Sequence, residues 1–277
     1  MRANVSRTMF RAFSIGRVCS IRLDVHASWF PLFALVAITI ANAAPVGALG
    51  PIGAYAVGAV AALVLFASVL VHELAHALTA RRFGVATSSI QLFLFGGVAT
   101  LEAEPPTPAA DALVALAGPA ISAVVALAAY GALRGVDLVV PARYADAAAS
   151  ILAYVTVANA VLAGFNLIPG YPMDGGRVLR ALLWQLRGSR DGATATAALV
   201  GIGFGLCFAA AGVITVAVTR MWQFGWYVVI AGFLVKTSWT QYRALRRAPM
   251  RVVSLRPSLP VSEASSVAVR TADQWSV

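Results

Sequence analysis

Charged residues are scarce in this sequence. They make up 12% of the 277 positions, whereas hydrophobic residues make up 60%, and the mean hydropathy is +0.81. Soluble domains carry about 25% charged residues, so a chain this apolar could not hide its hydrophobic surface from water. The scarcity of charge therefore excludes an ordinary soluble domain and favours a protein whose main solvent is lipid.

Cysteine and lysine are almost absent as well. The two cysteines, Cys19 and Cys207, provide neither a disulfide framework nor a CxxC metal site. Lys236 is the only lysine, so arginine supplies almost all of the net charge of +10. In a membrane protein such an excess sets orientation more often than it binds nucleic acid, and we expect no nucleic-acid partner.

Six apolar segments approach the roughly 20 residues that a membrane-spanning helix needs. They are residues 28–44, 54–80, 110–133, 147–167, 193–219 and 223–240. The predicted fold class is an all-α polytopic membrane protein with about six transmembrane helices. We expect a core over residues 1–247, a cytoplasmic tail over residues 248–277, and no cleavable signal peptide.

The arginines are divided unevenly between the two sides of such a bundle. Seventeen of the twenty fall before the first span, after the second and fourth spans, or in the tail. The other three are Arg134, Arg143 and Arg220. Because loops rich in arginine stay in the cytoplasm, this asymmetry predicts a multi-pass protein with both termini cytoplasmic.

Two segments have patterns that differ from a spanning helix. Residues 85–102 place apolar runs around Gly96 and Gly97, which predicts a membrane-associated β-hairpin with a Gly-Gly turn. Residues 177–187 are amphipathic at helical spacing. This second pattern predicts either an interfacial helix on the cytoplasmic side or a simple connector.

Three polar residues interrupt the second span in SVLVHELAHALTARRFG, residues 68–84. His72 and His76 are four residues apart, so both imidazoles lie on one face of a helix and can reach one metal ion. Glu73 can meet a metal-bound water without being a ligand. Zinc suits two imidazoles, a carboxylate and an open position for water, whose pKa it lowers toward about 7. The alternative, two core histidines hydrogen-bonded across the bundle, is less favoured because ionisable groups inside membranes are usually functional.

A third ligand should reach the same depth from the same side. Asp174 lies in FNLIPGYPMDGGR, where prolines stop the preceding helix and irregular backbone can line a cavity. We predict Asp174 as this ligand, with a plain Pro/Gly-rich loop as the alternative. Asn166 offers a donor and an acceptor to an extended substrate backbone. Asp111 also lies near a cytoplasmic end, and we expect a conservative change there to leave the metal in place; His26 is expected to be an interfacial residue.

HELAH in one span and FNLIPGYPMDGG in a later one resemble the motifs of the site-2 protease family of intramembrane zinc metalloproteases. The resemblance covers most of the chain, from about residue 17 to about residue 190. It implies one zinc ion held by His72, His76 and Asp174. It also implies that Glu73 is the catalytic acid/base.

Other segments extend the resemblance. LFGGVA, residues 94–99, resembles the hairpin that aligns substrate in this family, which implies a substrate-binding role for Gly96 and Gly97. AGPAIS, residues 117–122, resembles the family's Gly-Pro element, with Ser122 where asparagine is common. No stretch resembles a PDZ domain. The tail from Met250 onward resembles the opening of a CBS domain, so we expect either a truncated regulatory module or a disordered tail.

The resemblance implies an enzyme that cleaves transmembrane segments of single-span regulatory proteins, such as anti-sigma factors or membrane-tethered transcription factors, within the lipid bilayer of a bacterial cell membrane. The alternatives are a membrane metal transporter and a catalytically inactive scaffold. A transporter predicts a second polar layer on the outer side, and a scaffold has no need of Glu73. A homo-oligomer is left open, and an adenine nucleotide would bind only to a complete CBS pair.

Overall fold

The structure is a computed structural model that describes residues 12–43, 50–94 and 96–247. These residues are mostly helical, with one small β-sheet. The predicted tail over residues 248–277, including its resemblance to a CBS domain, lies outside the described residues.

The described residues form eight α-helices and one short 3-10 helix at Trp222–Gly225. The α-helices are α1 (Trp29–Ala43), α2 (Gly50–Arg82), α3 (Pro108–Arg134), α4 (Val136–Val139), α5 (Ala142–Asn166), α6 (Asp174–Arg187), α7 (Arg190–Thr219) and α8 (Trp226–Arg247). Helix α3 packs against α2, α5 and α6, and is therefore the central helix of the site described below.

Four of these helices, α2, α3, α5 and α7, are long and apolar enough to cross a membrane. Helix α1 has 15 residues and so spans roughly 22 Å, less than the roughly 30 Å of a hydrocarbon core. Helix α8 carries Lys236 and ends in a polar, arginine-rich turn. The predicted number of six transmembrane helices is therefore not confirmed among the described residues, although the helical membrane fold is.

The sheet has four strands in the order β1 (Ala12–Val18), β2 (Ile21–His26), β3 (Thr87–Phe93) and β4 (Gly96–Leu101). Strands β3 and β4 form the predicted hairpin, but the Gly-Gly turn is wrong. Gly96 pairs with Phe93 and Gly97 pairs with Leu92, so both glycines belong to β4. The reason is close packing: a Cβ on Gly97 would lie 2.5 Å from Cγ of Glu73 in α2.

The first hairpin, β1 and β2, was not predicted from the sequence. Its signal is the alternation in IRLDVH, where Ile21, Leu23 and Val25 are buried and the residues between them are more exposed. Ile21 and Leu23 pack with Ala77 of α2, and β2 pairs in parallel with β3. The sheet therefore lies against the helix that carries the HELAH motif. His26 ends β2 and shares a hydrogen bond with Ser28.

Residues 177–187 form the predicted amphipathic helix, and this helix, α6, begins earlier, at Asp174. It packs against α3 and α7. The helix itself is confirmed; the choice between an interfacial helix and a simple connector stays a prediction.

Close contact between α1 and α2 depends on Gly58, because a Cβ there would lie 2.1 Å from the backbone oxygen of Ala37. We expect Gly58→Ala to force the helices apart and to lower the free energy of unfolding by about 1–3 kcal/mol, the usual cost of overpacking. Gly131→Ala is the matched control, since that position in α3 has open space around it. Thermal unfolding in detergent measures both, and a Gly58→Ala variant as stable as the control would contradict the packing described.

Candidate metal centre

Helix α2 brings His72 and His76 to one buried face. They are 3% and 5% exposed, respectively, in a helix otherwise built largely of alanine, valine and leucine. Glu73 is half-buried and lies beside β4, in contact with the backbone of Gly97. The spacing of HELAH on one helix thus places two imidazoles together, with a carboxylate next to them.

A loop between α5 and α6 brings Asp174 to the same place. The backbone N–H of Tyr171 donates to the carbonyl of Ala197 in α7, and the hydroxyl of Ser238 in α8 donates to the carbonyl of Tyr171. Gly170 in this loop sits directly against α7, where a Cβ would lie 2.8 Å from Cα of Gly201. The loop is therefore held against two helices, and α6 begins from it with Asp174 as its first residue.

Three side-chain atoms converge at this point. The Nε2 atoms of His72 and His76 are 3.1 Å apart, and Oδ2 of Asp174 lies 3.2 Å from the first and 3.1 Å from the second. Within the part of the chain that the structure describes, these three side chains are close enough together to bind one metal ion. The sequence placed the same three residues together.

The hydrogen bond at Nδ1 of each ring determines whether Nε2 carries a proton or a lone pair. Nδ1 of His76 lies 2.6 Å from the carbonyl oxygen of Val114, and Nδ1 of His72 lies 2.9 Å from Oγ of Ser122. A carbonyl only accepts, so Nδ1 of His76 must carry the proton. In a neutral ring this leaves the lone pair on Nε2, directed at the other ring and at the carboxylate.

Lone pairs gathered in this way repel one another unless a cation lies between them. A tetrahedral zinc ion with bonds of about 2.0–2.2 Å has ligand atoms roughly 3.3–3.6 Å apart. The observed separations of 3.1–3.2 Å lie just below this range. Two imidazoles and one carboxylate are also a ligand set found in catalytic zinc sites. The residues present therefore fit a zinc ion with one position left open.

The charge state of Asp174 suits this role. Burial alone would raise the pKa of its carboxyl, but in the protein without metal His72 and His76, when protonated, donate hydrogen bonds and add positive charge, which outweigh burial and lower the pKa to about 2. The side chain is therefore a carboxylate at neutral pH. An ionised carboxylate is the form that binds a metal.

A cleft of about 220 Å³ opens onto the three residues. Glu73 lines it beside the two histidines, Gly97 lines it from β4, and Asn166 lines it from the end of α5. The side-chain amide of Asn166 donates to the carbonyl of Leu162 within its own helix. Of the residues predicted from the sequence, Gly96 is not among those that line this cleft; its φ of +125° instead places it at the start of β4 in a conformation that favours glycine.

Comparison with known proteins adds independent information. The model of peptidase family M50 matches residues 60–140 and 135–210, which together make up more than half of the chain. A Synechocystis sp. protein named as a candidate zinc metalloprotease is 36% identical over 232 residues, covering 83% of this chain and 59% of that protein. Rip3 of Mycobacterium tuberculosis, also named as a candidate zinc metalloprotease, is 33% identical over 268 residues, covering 95% of this chain and 66% of its own length. The chain thus spans less than two thirds of these relatives.

A solved structure has the same fold. The site-2 protease from Methanocaldococcus jannaschii superposes with a TM-score of 0.57 at 25% identity, covering 84% of this chain and 96% of that one. Both motifs and the β3–β4 hairpin fall within the matched family residues. Membership of the family implies a zinc cofactor, and the group formed by His72, His76 and Asp174 is able to hold it. This chain is a multi-pass membrane protein that belongs to peptidase family M50, the site-2 protease family.

Proposed function

We propose that this chain is the catalytic core of an intramembrane zinc metalloendopeptidase. One observation carries the proposal: two imidazole nitrogens and a carboxylate oxygen meet within 3.2 Å at the base of a cleft, with a second carboxylate, Glu73, beside them. A zinc ion held by His72, His76 and Asp174 would polarise a carbonyl oxygen and lower the pKa of a water molecule toward about 7. Each of these four residues then has one role.

Glu73 moves the proton in this proposal. Its side chain faces the cleft and is kept close to the ligands by the backbone of β4 at Gly97. The carboxylate accepts a proton from the attacking water and passes it to the leaving amine nitrogen, as a general base and then a general acid. Asn166 lines the same cleft, and in this proposal the amide hydrogen that it does not give to Leu162 donates to a substrate carbonyl.

Strand β4 is proposed as the surface that receives the substrate. It is the last strand of the sheet, so one of its edges has no partner strand among the described residues. It also contributes Gly97, Val98, Ala99 and Leu101 to the cleft. An intact helix hides its peptide groups, so a transmembrane substrate must unwind, and an unwound segment can pair with an exposed edge strand.

The substrates we infer are single-span regulatory proteins, such as membrane-bound transcription factors or anti-sigma factors in a bacterium, cleaved to release a cytosolic fragment. The orientation follows from the arginine asymmetry: both termini and residues 170–191, which include α6, face the cytoplasm, and residues 134–146, which include α4, face the opposite side. A metal transporter would need further polar sites along a path, and a scaffold would not need Glu73. The tests below distinguish the protease from both alternatives.

Glu73→Gln tests the enzyme directly. Glutamine keeps the size of the side chain but cannot take up a proton at neutral pH, so we expect cleavage to fall by about 10²–10⁴-fold. Zinc content should stay at the wild-type level, because the three ligands are untouched. Glu102→Gln is the matched control, since Glu102 is exposed at the end of β4. Fragment release and zinc content are measured on the same preparation; cleavage near the wild-type rate would remove Glu73 from the mechanism.

Asp174→Ala tests the third ligand. Only His72 and His76 would remain, and two ligands hold zinc poorly, so we expect zinc content to fall well below one per chain. Asp137→Ala makes the same change at an exposed position in α4 and should keep its zinc. Mass spectrometry of the purified proteins gives the metal content. Full zinc with unchanged affinity in Asp174→Ala would mean that the third ligand is another residue, with His26 to be tested next.

The orientation is tested with single cysteines in a chain from which Cys19 and Cys207 have been removed. Val139 and Leu186 are suitable positions because they are 82% and 71% exposed. An impermeant thiol reagent should label position 139 only from outside the cell. It should label position 186 only after the cytoplasmic face is opened. The reverse pattern would contradict the orientation.

A further inference from the structure

Helix α3 contributes none of the three proposed metal ligands. It nevertheless contacts both histidines and the helix that carries Asp174. Its relevant positions are Asp111, Val114, Gly118 and Ser122, which follow one another at intervals of three or four residues. Residues at this spacing share one face of a helix. This face is turned toward α2 and α6, the two helices that carry the ligands.

The part of this face from Val114 to Ser122 contacts the two imidazoles. The Val114 carbonyl accepts from Nδ1 of His76, and Ser122, which is 1% exposed, is hydrogen-bonded to Nδ1 of His72. The serine hydroxyl oxygen can accept a hydrogen bond from Nδ1–H, so both rings can take the same tautomer, with the Nε2 lone pair free to bind metal. Each ring is thereby held in its plane by a group on α3.

Gly118 lies between these two contacts and allows α3 to come close to both imidazoles. A Cβ at this position would be 2.2 Å from Nε2 of His76 and 2.5 Å from Nε2 of His72. No side chain fits there. The backbone of α3 is therefore close against the two nitrogen atoms that are proposed to hold the metal.

Asp111, at the N-terminal end of this face, contacts the third ligand only through α6, the helix that carries Asp174. Asp111 is fully buried and accepts two hydrogen bonds from Arg180, at 2.8 and 2.7 Å, and one from Arg177, at 3.2 Å. Both arginines lie on α6, three and six residues after Asp174. Arg180 is itself 8% exposed, so neither charge can turn to water if the other is lost.

We propose that this face of α3 is a template for the metal centre, in which Ser122 and Asp111 are positioning residues: Ser122 orients His72, and Asp111 fixes α6 so that Asp174 meets the two histidines. The proposal rests on the proposed function, since it concerns the same metal. It differs from the expectation drawn from the sequence, in which a conservative change at Asp111 leaves the metal undisturbed.

The experiment measures the affinity of the purified chain for Zn²⁺ and Co²⁺ by competition with a chelator, together with thermal unfolding in detergent. Loss of a hydrogen-bond partner of a metal-bound histidine typically weakens metal binding by about 10–100-fold. We expect a loss of this size for Ser122→Ala, and recovery of most of it in Ser122→Thr, which keeps the hydroxyl. The visible spectrum of bound Co²⁺ should also change in Ser122→Ala, because the ligand geometry is less well fixed.

Ser68→Ala is the matched control for Ser122→Ala. Ser68 is also buried, at 6% exposure, and its hydrogen bonds go to Asn159 and to the carbonyl of Val64 rather than to a proposed ligand. A change that only destabilises the bundle should lower the unfolding temperature in both variants, whereas metal affinity should fall only in Ser122→Ala. This difference separates a positioning role from a structural one.

The same measurement applies to Asp111→Asn, for which Glu104→Gln is the control. Glu104 also lies within 3.6 Å of Arg180, but its side chain is 63% exposed. Because Asp111→Asn leaves buried arginines without their counter-charge, the double variant Asp111→Asn with Arg180→Gln is measured as well. We expect about 10–100-fold weaker metal binding in the folded double variant, and no change in Glu104→Gln.

The outcomes distinguish this inference from the proposed function. Wild-type protein that binds neither Zn²⁺ nor Co²⁺ would overturn both. Wild-type binding with unchanged affinity in Ser122→Ala and in the Asp111 variants would overturn the template alone and leave the three ligands in place. Weaker binding in these variants, with the controls unchanged, supports it.

Discussion

Polar groups inside an apolar bundle must compensate one another, because lipid and alkyl side chains offer them nothing. Here His72, His76 and Asp174 share one point, and the remaining nitrogen of each imidazole is satisfied by α3. Three lone pairs directed at one point call for a cation. This requirement explains why polar residues are found together in a chain that is otherwise so poor in them.

The rest of the fold serves to bring distant segments to that point. Asp174 is 102 residues beyond His72 in the sequence, and it arrives through a loop held against α7 and α8. The buried ion pair between Asp111 and Arg180 then fixes α6 against α3. Small residues allow the close approaches, most visibly Gly118 at the histidines and Gly97 at Glu73.

Much of the candidate centre could be predicted because its signals are local. His72 and His76 are one turn apart on a single helix, and the prolines before Asp174 interrupt an apolar run where few other acids occur. The helices α2, α3, α5 and α7 were recognisable from apolar length alone. The identities of the candidate ligands therefore followed from spacing and depth, without knowledge of the packing.

Other features could not be predicted because they depend on tertiary contacts. Gly96 and Gly97 have the composition of a turn, but the requirement for space beside Glu73 places them in β4. Asp111 looks like an ordinary acid near a helix start until two arginines of α6 are seen to meet it. The short β1–β2 hairpin carries an alternating pattern of only six residues, which is too brief to stand out beside long apolar helices.

Two imidazoles and one carboxylate of this chain are proposed to hold a single zinc ion. X-ray absorption at the zinc edge of the purified protein tests this proposal most directly, because the spectrum reports the type, number and distance of the ligand atoms. We expect nitrogen and oxygen ligands at about 2.0–2.2 Å, with the outer scattering of two imidazole rings. A sulfur ligand at about 2.3 Å, or a shell of oxygen atoms without imidazole, would contradict it.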